Sequence, residues 1–255
     1  VEAGLRTYDK TAPFPEELNR QMVSRIADVH FAPTEKNKQA LLMEGVAEKD
    51  ILVTGNTVID ALMMCQKNLA PESNPEIQKL QRIYDPEKKL LLVTGHRREN
   101  MGAGFSELIE ALRELASEPS IQVIYPLHMN PAVREPMIHA LGNTEGIFLI
   151  EPLGYEAFVW LMSKSFLIIS DSGGVQEEAP SLNKPVLVLR EQTERQEAVE
   201  AGTVKLIGTL KEAVVQEVRE LMVNKEAYLG MTQKSNPYGD GMAAKRIVDF
   251  LAASE

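Results

Sequence analysis

The chain has 255 residues, 44% of them hydrophobic and 25% charged, with a formal net charge of -10. This is enough for an ordinary globular core at a size where chains divide into one or two domains, and the acidic balance excludes the Lys/Arg clusters that neutralise nucleic-acid phosphates. The single Cys65 excludes a disulfide framework or a cysteine-based metal site within one chain, and the sequence has neither an apolar run long enough to span a bilayer nor a basic-then-apolar leader, so a reducing, cytoplasmic setting without membrane insertion is expected.

In chain order, apolar residues at helical spacing predict helices over 16–28 and 34–44, with β-branched and apolar runs at 29–32 and 51–54 between and after them. A helical run follows from Val58 to Cys65, and Met63 and Met64 read there as core. The breaks Ala70-Pro-Glu-Ser-Asn-Pro75 and Asp85-Pro-Glu-Lys-Lys89 place a domain boundary near residue 70. Beyond it, strands are expected at 90–94, 121–125, 147–150, 166–170, 186–189 and 204–207, with helices at 105–116, 155–162 and 210–223. Trp160 reads as core, and His30 and His139 as half-buried structural residues. The turn-rich Asn236-Pro-Tyr-Gly-Asp-Gly241 precedes a final amphipathic helix over 242–253. Strand and helix alternating in this way predict βαβ units with parallel sheets, an α/β fold. Two strands before residue 70 are too few to bury a sheet of their own, and the chain opens at Val1 inside a motif-like stretch, so an incomplete first domain is expected.

Chemistry concentrates at strand ends. In Ile169-Ser-Asp-Ser-Gly-Gly-Val-Gln-Glu-Glu-Ala-Pro180 a strand passes through Ser172, Gly173 and Gly174 into a helix. Such a turn suits a diphosphate, because glycine lets the backbone approach and the first helical amides lack partners. Glu178, about one turn on, leans back toward the turn and can accept ribose hydroxyls; the plain alternative is a glycine-rich turn followed by a solvated Glu pair. In Val93-Thr-Gly-His-Arg-Arg-Glu-Asn100, His96 and Arg97 bring positive charge to another strand end. Pro13-Phe-Pro-Glu-Glu-Leu-Asn-Arg20 offers Glu16 and Glu17 at a helix start, where acidic residues also serve the helix dipole alone. Glu2 and Glu16 together are two carboxylates of the type used as acid and base. Arg195, closing Arg190-Glu-Gln-Thr-Glu-Arg195, faces the crevice of Ser172 or makes a helical pair with Glu191, and His128 sits at the end of the run containing Tyr125. The scattered histidines lack ligand spacing, so no metal is expected.

Taken together, Val1-Glu-Ala-Gly-Leu-Arg-Thr7, Pro13-Phe-Pro-Glu-Glu-Leu-Asn-Arg20, Thr54-Gly-Asn-Thr-Val-Ile-Asp-Ala-Leu62, Thr94-Gly-His-Arg-Arg-Glu-Asn100 and Asp171-Ser-Gly-Gly-Val-Gln-Glu-Glu-Ala-Pro180, in this order, resemble the bacterial non-hydrolysing UDP-N-acetylglucosamine 2-epimerases along the whole chain. The resemblance implies a GT-B-like fold of two Rossmann-like domains with parallel sheets. Residues 1–70 would form the C-terminal part of the first, 71–238 the second, UDP-binding domain, and 239–255 a helix crossing back to the first. It implies epimerisation at C2 by anti elimination of UDP through 2-acetamidoglucal and re-addition, without a cofactor. Glu2 and Glu16 then resemble acid/base or sugar-binding carboxylates, and His96 the residue steadying the leaving diphosphate. Ser172, Gly173, Gly174, Glu178 and Arg195 resemble the UDP site, with the backbone of Leu153 and the ring of Phe158 at uracil. Leu153 departs from the polar residue associated with that position. Arg97 and His128 resemble contacts of a second, activating UDP-N-acetylglucosamine, whose other contacts would precede Val1 together with a further Asp and basic residues. A homodimer is the default assembly. A hydrolysing relative releasing N-acetylmannosamine, a retaining glycosyltransferase on the same frame and a UDP-binding chain without catalysis remain alternatives.

Overall fold

Continuous apolar runs such as Leu90-Leu-Leu-Val93 suit strands covered on both faces, which is the environment of a parallel sheet between helices. The computed structural model describes residues 1–11, 14–95 and 103–253. Residues 96–102, His96 and Arg97 among them, lie outside the described residues, as does Pro13. The elements begin with α1 (Glu16–Ile26), β1 (His30–Ala32), α2 (Glu35–Met43), β2 (Ile51–Val53), α3 (Thr57–Asn68), α4 (Pro75–Ile83) and β3 (Lys89–Thr94). They continue with α5 (Ala103–Ala116), β4 (Ile121–Pro126), α6 (Pro131–Leu141), β5 (Ile147–Ile150), α7 (Tyr155–Lys164), β6 (Leu167–Ser170) and α8 (Gly173–Glu178). The last are β7 (Val186–Val188), α9 (Gln196–Ala201), β8 (Val204–Leu206), α10 (Lys211–Val223), α11 (Lys225–Thr232) and α12 (Ala243–Ala253).

Contacts divide the chain into two compact units, the first made of Val1–Met64, Glu194–Glu197 and Asn236–Glu255, the second of Cys65–Thr193 and Ala198–Ser235. In the first unit β1 and β2 pair in parallel, His30 opposite Ile51 and Ala32 opposite Val53. Ala32, Leu41 and Ile51 form its small buried cluster. Within this unit α12 lays Phe250 edge-on against Phe31, ring centroids 5.6 Å apart, and its first amides, those of Ala243 and Ala244, donate to the two oxygens of Asp60 at 3.0 and 2.9 Å. The Thr54-Gly-Asn motif receives the tail segment: Asn56 N donates to Tyr238 O at 2.7 Å.

The second unit is a six-stranded sheet in the order β5-β4-β3-β6-β7-β8, parallel throughout. Leu91, Val93, Val123, Tyr125 and Ile169 pack on one face under Leu108, Leu112, Met137, Val214 and Val218 from α5, α6 and α10. Leu90, Leu92, Ile124 and Ile168, which alternate with them, are buried as well, so both faces are covered.

Three of the smaller readings need correction. Met63 and Met64 are 40% and 66% exposed, because α3 buries Ile59 and Leu62, three residues apart, and turns the next two positions outward. His139 is exposed on α6, and His30 is buried, not half-buried; Trp160, by contrast, is in the core and meets Tyr84 edge-on at 5.9 Å. Helices α4, α6 and α11 were not anticipated.

Candidate functional site

In the second unit the chain runs from β3 outward to β4 and β5, then returns to the other side of β3 with β6 and continues outward to β7 and β8. Strand order therefore reverses between β3 and β6, and a doubly wound sheet opens its ligand crevice at that point, beyond the carboxyl ends of the strands. The two strand-end motifs leave from these two neighbours. Thr94 stands opposite Ser170 in the register, their hydroxyl oxygens are 2.6 Å apart, and Asp171 N donates to Thr94 O at 3.1 Å. Ser170 Oγ also accepts from Ser172 N at 3.0 Å, and the buried Tyr125 hydroxyl donates to Gly95 O at 2.7 Å. Burial foremost, then the charge of Asp171, raises the pKa of the Tyr125 hydroxyl, which keeps it a donor. Ser170 and Tyr125 thus fix the ends of the two strands from which these motifs leave, a function the sequence reading did not assign to them.

Ser172 is the N-cap of α8 in an extended conformation and its side chain makes no capping hydrogen bond. A Cβ built on Gly174 would meet only Glu178 Oε2 at 3.8 Å and Ser172 Oγ at 4.0 Å. The carboxylate of Glu178, the last residue of α8, therefore does lean back toward the glycine turn. Glu177 and Glu178 are 3% and 7% exposed, so they are no solvated pair. Glu178 Oε1 accepts from the Tyr155 hydroxyl at 2.6 Å. Burial pushes the Glu178 carboxyl up, and the hydrogen bond from Tyr155 offsets part of that rise. Tyr155 was missed; its signal was its place at the start of α7, three residues before Phe158.

The start of α7 is held by α4. Gly154 N donates to Glu76 Oε2 at 3.0 Å, and Asn74 donates to Glu156 at 3.0 Å. Leu153, half-buried, lines a cavity of about 340 Å³ with Glu76, Lys79, Leu80 and Ile83, while Phe158, also half-buried, is on the first turns of α7. His128 is exposed just after β4, where its Nδ1 accepts from Asn130 N at 3.1 Å.

In the first unit the Val1–Thr7 motif is tied down residue by residue. Ala3 N donates to Phe31 O at 3.0 Å. Gly4 has φ +86°, and a Cβ there would lie 2.1 Å from Asn37 O. Leu5 is buried. Arg6, whose side chain is 2% exposed, forks onto Glu44 at 2.6 and 2.9 Å and donates to Ser24 at 2.7 Å. Glu2 is exposed, at φ 55°, on the wall of a cavity of about 210 Å³ shared with Arg6, Asn19, Arg20, Ser24 and His30. Glu16 is exposed in the first turn of α1. Its neighbour Glu17 is buried and accepts from Thr7 N, Tyr8 N and Gln21 at 3.0, 3.2 and 2.7 Å. Burial would raise the Glu17 carboxyl, but the bonds from Thr7, Gln21 and Tyr8, with the Arg6 charge, outweigh it and hold the carboxyl below the usual range. Arg195 belongs to the segment grouped with the first unit, precedes α9 and pairs with the adjacent Glu194. Among the described residues no three His, Cys, Asp or Glu side chains are grouped to hold a metal ion, and no helix is long and apolar enough to cross a membrane.

Residues 1–252 match the family model described as UDP-N-acetylglucosamine 2-epimerase. The UDP-N-acetylglucosamine 2-epimerase of Escherichia coli (strain K12) is 50% identical over 254 residues, covering 98% of this chain and 68% of that protein. The crystal structure of the Neisseria meningitidis UDP-GlcNAc 2-epimerase bound to UDP-GlcNAc matches with a TM-score of 0.91 at 46% identity, over 99% of this chain and 69% of that one. An S. aureus protein solved with UDP matches with a TM-score of 0.89 at 47% identity, over 98% and 67%. The chain thus spans about two thirds of the length of these relatives. The α/β, GT-B-like class expected from the sequence is the fold of these structures.

Proposed function

The chain belongs to the UDP-N-acetylglucosamine 2-epimerase family, and on that premise we propose that it interconverts UDP-N-acetylglucosamine and UDP-N-acetylmannosamine without hydrolysis and without a cofactor. A base removes the C2 proton while the C1–O bond breaks and its electron pair leaves with UDP, giving 2-acetamidoglucal. UDP then adds back at C1 as C2 is protonated from the opposite face. The C2 proton is poorly acidic, so the reaction needs a placed base together with stabilisation of the departing diphosphate.

The observation that carries this reading is the turn at the strand-order reversal, where the glycine-edged start of α8 and the buried Glu178 carboxylate converge over Gly174. In the reading, Ser172, Gly173 and Gly174 receive the diphosphate, Glu178 the ribose, and the backbone of Leu153 with the ring of Phe158 the uracil. Arg195 adds a guanidinium to UDP, and His96 steadies the leaving group. Glu2 and Glu16 serve as acid and base; both are exposed and available, whereas Glu17 is consumed in holding residues 7 and 8. Arg97 and His128 belong to a second, activating UDP-N-acetylglucosamine site, and the working assembly is a homodimer. Supporting the reading, the neighbours named above were solved with UDP-GlcNAc or UDP.

Incubated with UDP-N-acetylglucosamine in deuterated water, the protein is expected to place deuterium at C2 of both sugar nucleotides, read by NMR. Turnover without label at C2 would remove the elimination mechanism. Free N-acetylmannosamine would identify a hydrolysing enzyme, and UDP affinity without turnover a binding chain.

A further inference from the structure

Tyr155 is 43% exposed, so packing alone does not fix its ring, yet its hydroxyl turns onto a carboxylate that is 7% exposed. We propose that Tyr155 is a positioning residue for nucleotide binding: by holding Glu178 Oε1 it keeps Oε2 turned toward the glycine turn, where a ribose hydroxyl is read. The inference rests on the reading of Glu178 as a ribose contact and goes beyond it, because it gives the carboxylate's orientation to a residue on another helix.

The geometry supports this division of labour. One oxygen accepts from Tyr155 at 2.6 Å, and the other is the atom that a Cβ on Gly174 would meet at 3.8 Å. A buried carboxylate with neither oxygen held would rotate or take up a proton, and in both cases would lose its acceptor at the ribose. Tyr155 itself is placed by the anchored start of α7, where Glu76 holds Gly154 N and Asn74 holds Glu156. Phe158 follows on the same helix, so a single rigid element carries both the proposed uracil contact and the hydroxyl that aims the ribose acceptor. The other titratable group whose charge acts on this pair is Cys65 of α3.

The test is a double-mutant cycle on the whole chain, titrating UDP by calorimetry with circular dichroism as the fold control. Tyr155→Phe keeps the ring and is expected to weaken UDP binding about tenfold, the scale of a hydrogen bond to a charged group. Glu178→Ala weakens it at least as much, and adding Tyr155→Phe to Glu178→Ala costs nothing further. The pH below which UDP affinity falls should also move upward in Tyr155→Phe, since the removed hydroxyl was holding the carboxyl down; a residue with only a packing role would leave that limb in place. Full affinity in Tyr155→Phe beside a weakened Glu178→Ala, or losses that simply add, overturns the positioning role and leaves the nucleotide reading standing. Full affinity in Glu178→Ala overturns the ribose contact and this proposal with it.

Discussion

Replacing Gly4 with Ala is expected to cost about 2–5 kcal/mol, because a left-handed backbone penalty and a steric clash coincide there. The φ of +86° alone disfavours any side chain, and the Asn37 carbonyl, 2.1 Å from the would-be Cβ, is backbone that cannot swing away. Gly45 is the matched control: its φ is +85°, but a Cβ there meets nothing within 4 Å. Gly45→Ala should therefore cost only about 1 kcal/mol. Urea midpoints of the two variants separate the terms; equal losses would mean that the Asn37 contact relaxes freely. The same reasoning divides the acidic pair in α1. Glu16 and Glu17 look alike in the sequence, and only the amides of Thr7 and Tyr8, brought over from the preceding loop, give Glu17 a structural task.

Among the elements, α12 depends on a cap that no local pattern contains. Asp60 lies inside α3, where it reads as an ordinary helical acid, yet it receives the first amides of a helix 183 residues further along. Asp60→Ala is expected to cost about 1–2 kcal/mol, through two lost hydrogen bonds and a lost negative charge at the helix start. Hydrogen exchange should show the loss concentrated in 243–253; protection unchanged there would mean that packing of Phe250 and Ile247 holds the helix alone. The missed helices teach the converse. Asn74-Pro75 closes a stretch read as a break, but there, as at Asn130-Pro131, the Asn side chain accepts helix-start amides and the Pro takes the first helical position. The same letters mark a break or a start, and the choice depends on whether the following apolar residues, Ile77 and Leu80 or Val133 and Met137, find a core to enter.

For the molecule as a whole, two buried carboxylates pull stability in opposite directions with pH. Glu178 titrates above its ordinary value of 4.5, so its contribution is complete below that value and is lost as the pH rises through the native one. Glu17 titrates below 4.5, so its contribution is present above that value and is lost as the pH falls through the native one. Of these groups, Glu178 is expected to raise the melting temperature as the pH is lowered toward about 4.5, against the buried His30, whose lowered pKa acts in the opposite sense over the same range, and Glu17 to make it fall below that. Glu178→Gln should flatten the first limb and Glu17→Gln the second. An unaltered profile in either variant would remove that carboxylate from the account.

The order of strands and helices, the parallel class and the strand-end motifs were legible in the sequence because each rests on local physics: the apolar period of an element, the closing glycine, the polar residues beyond. The lean of Glu178 toward the turn at Ser172 was legible for the same reason, since a strand, two glycines and a helix fix where a carboxylate one turn on must point. What the sequence could not hold was which strands stand side by side. That β6 returns beside β3, setting Thr94 against Ser170, follows from how the six strands bury both faces at once, and such burial is a property of the assembled sheet. Tyr155 on Glu178 and Asp60 on α12 are consequences of the same kind. A side chain's partner across many residues is decided by packing, after every local preference has already been met.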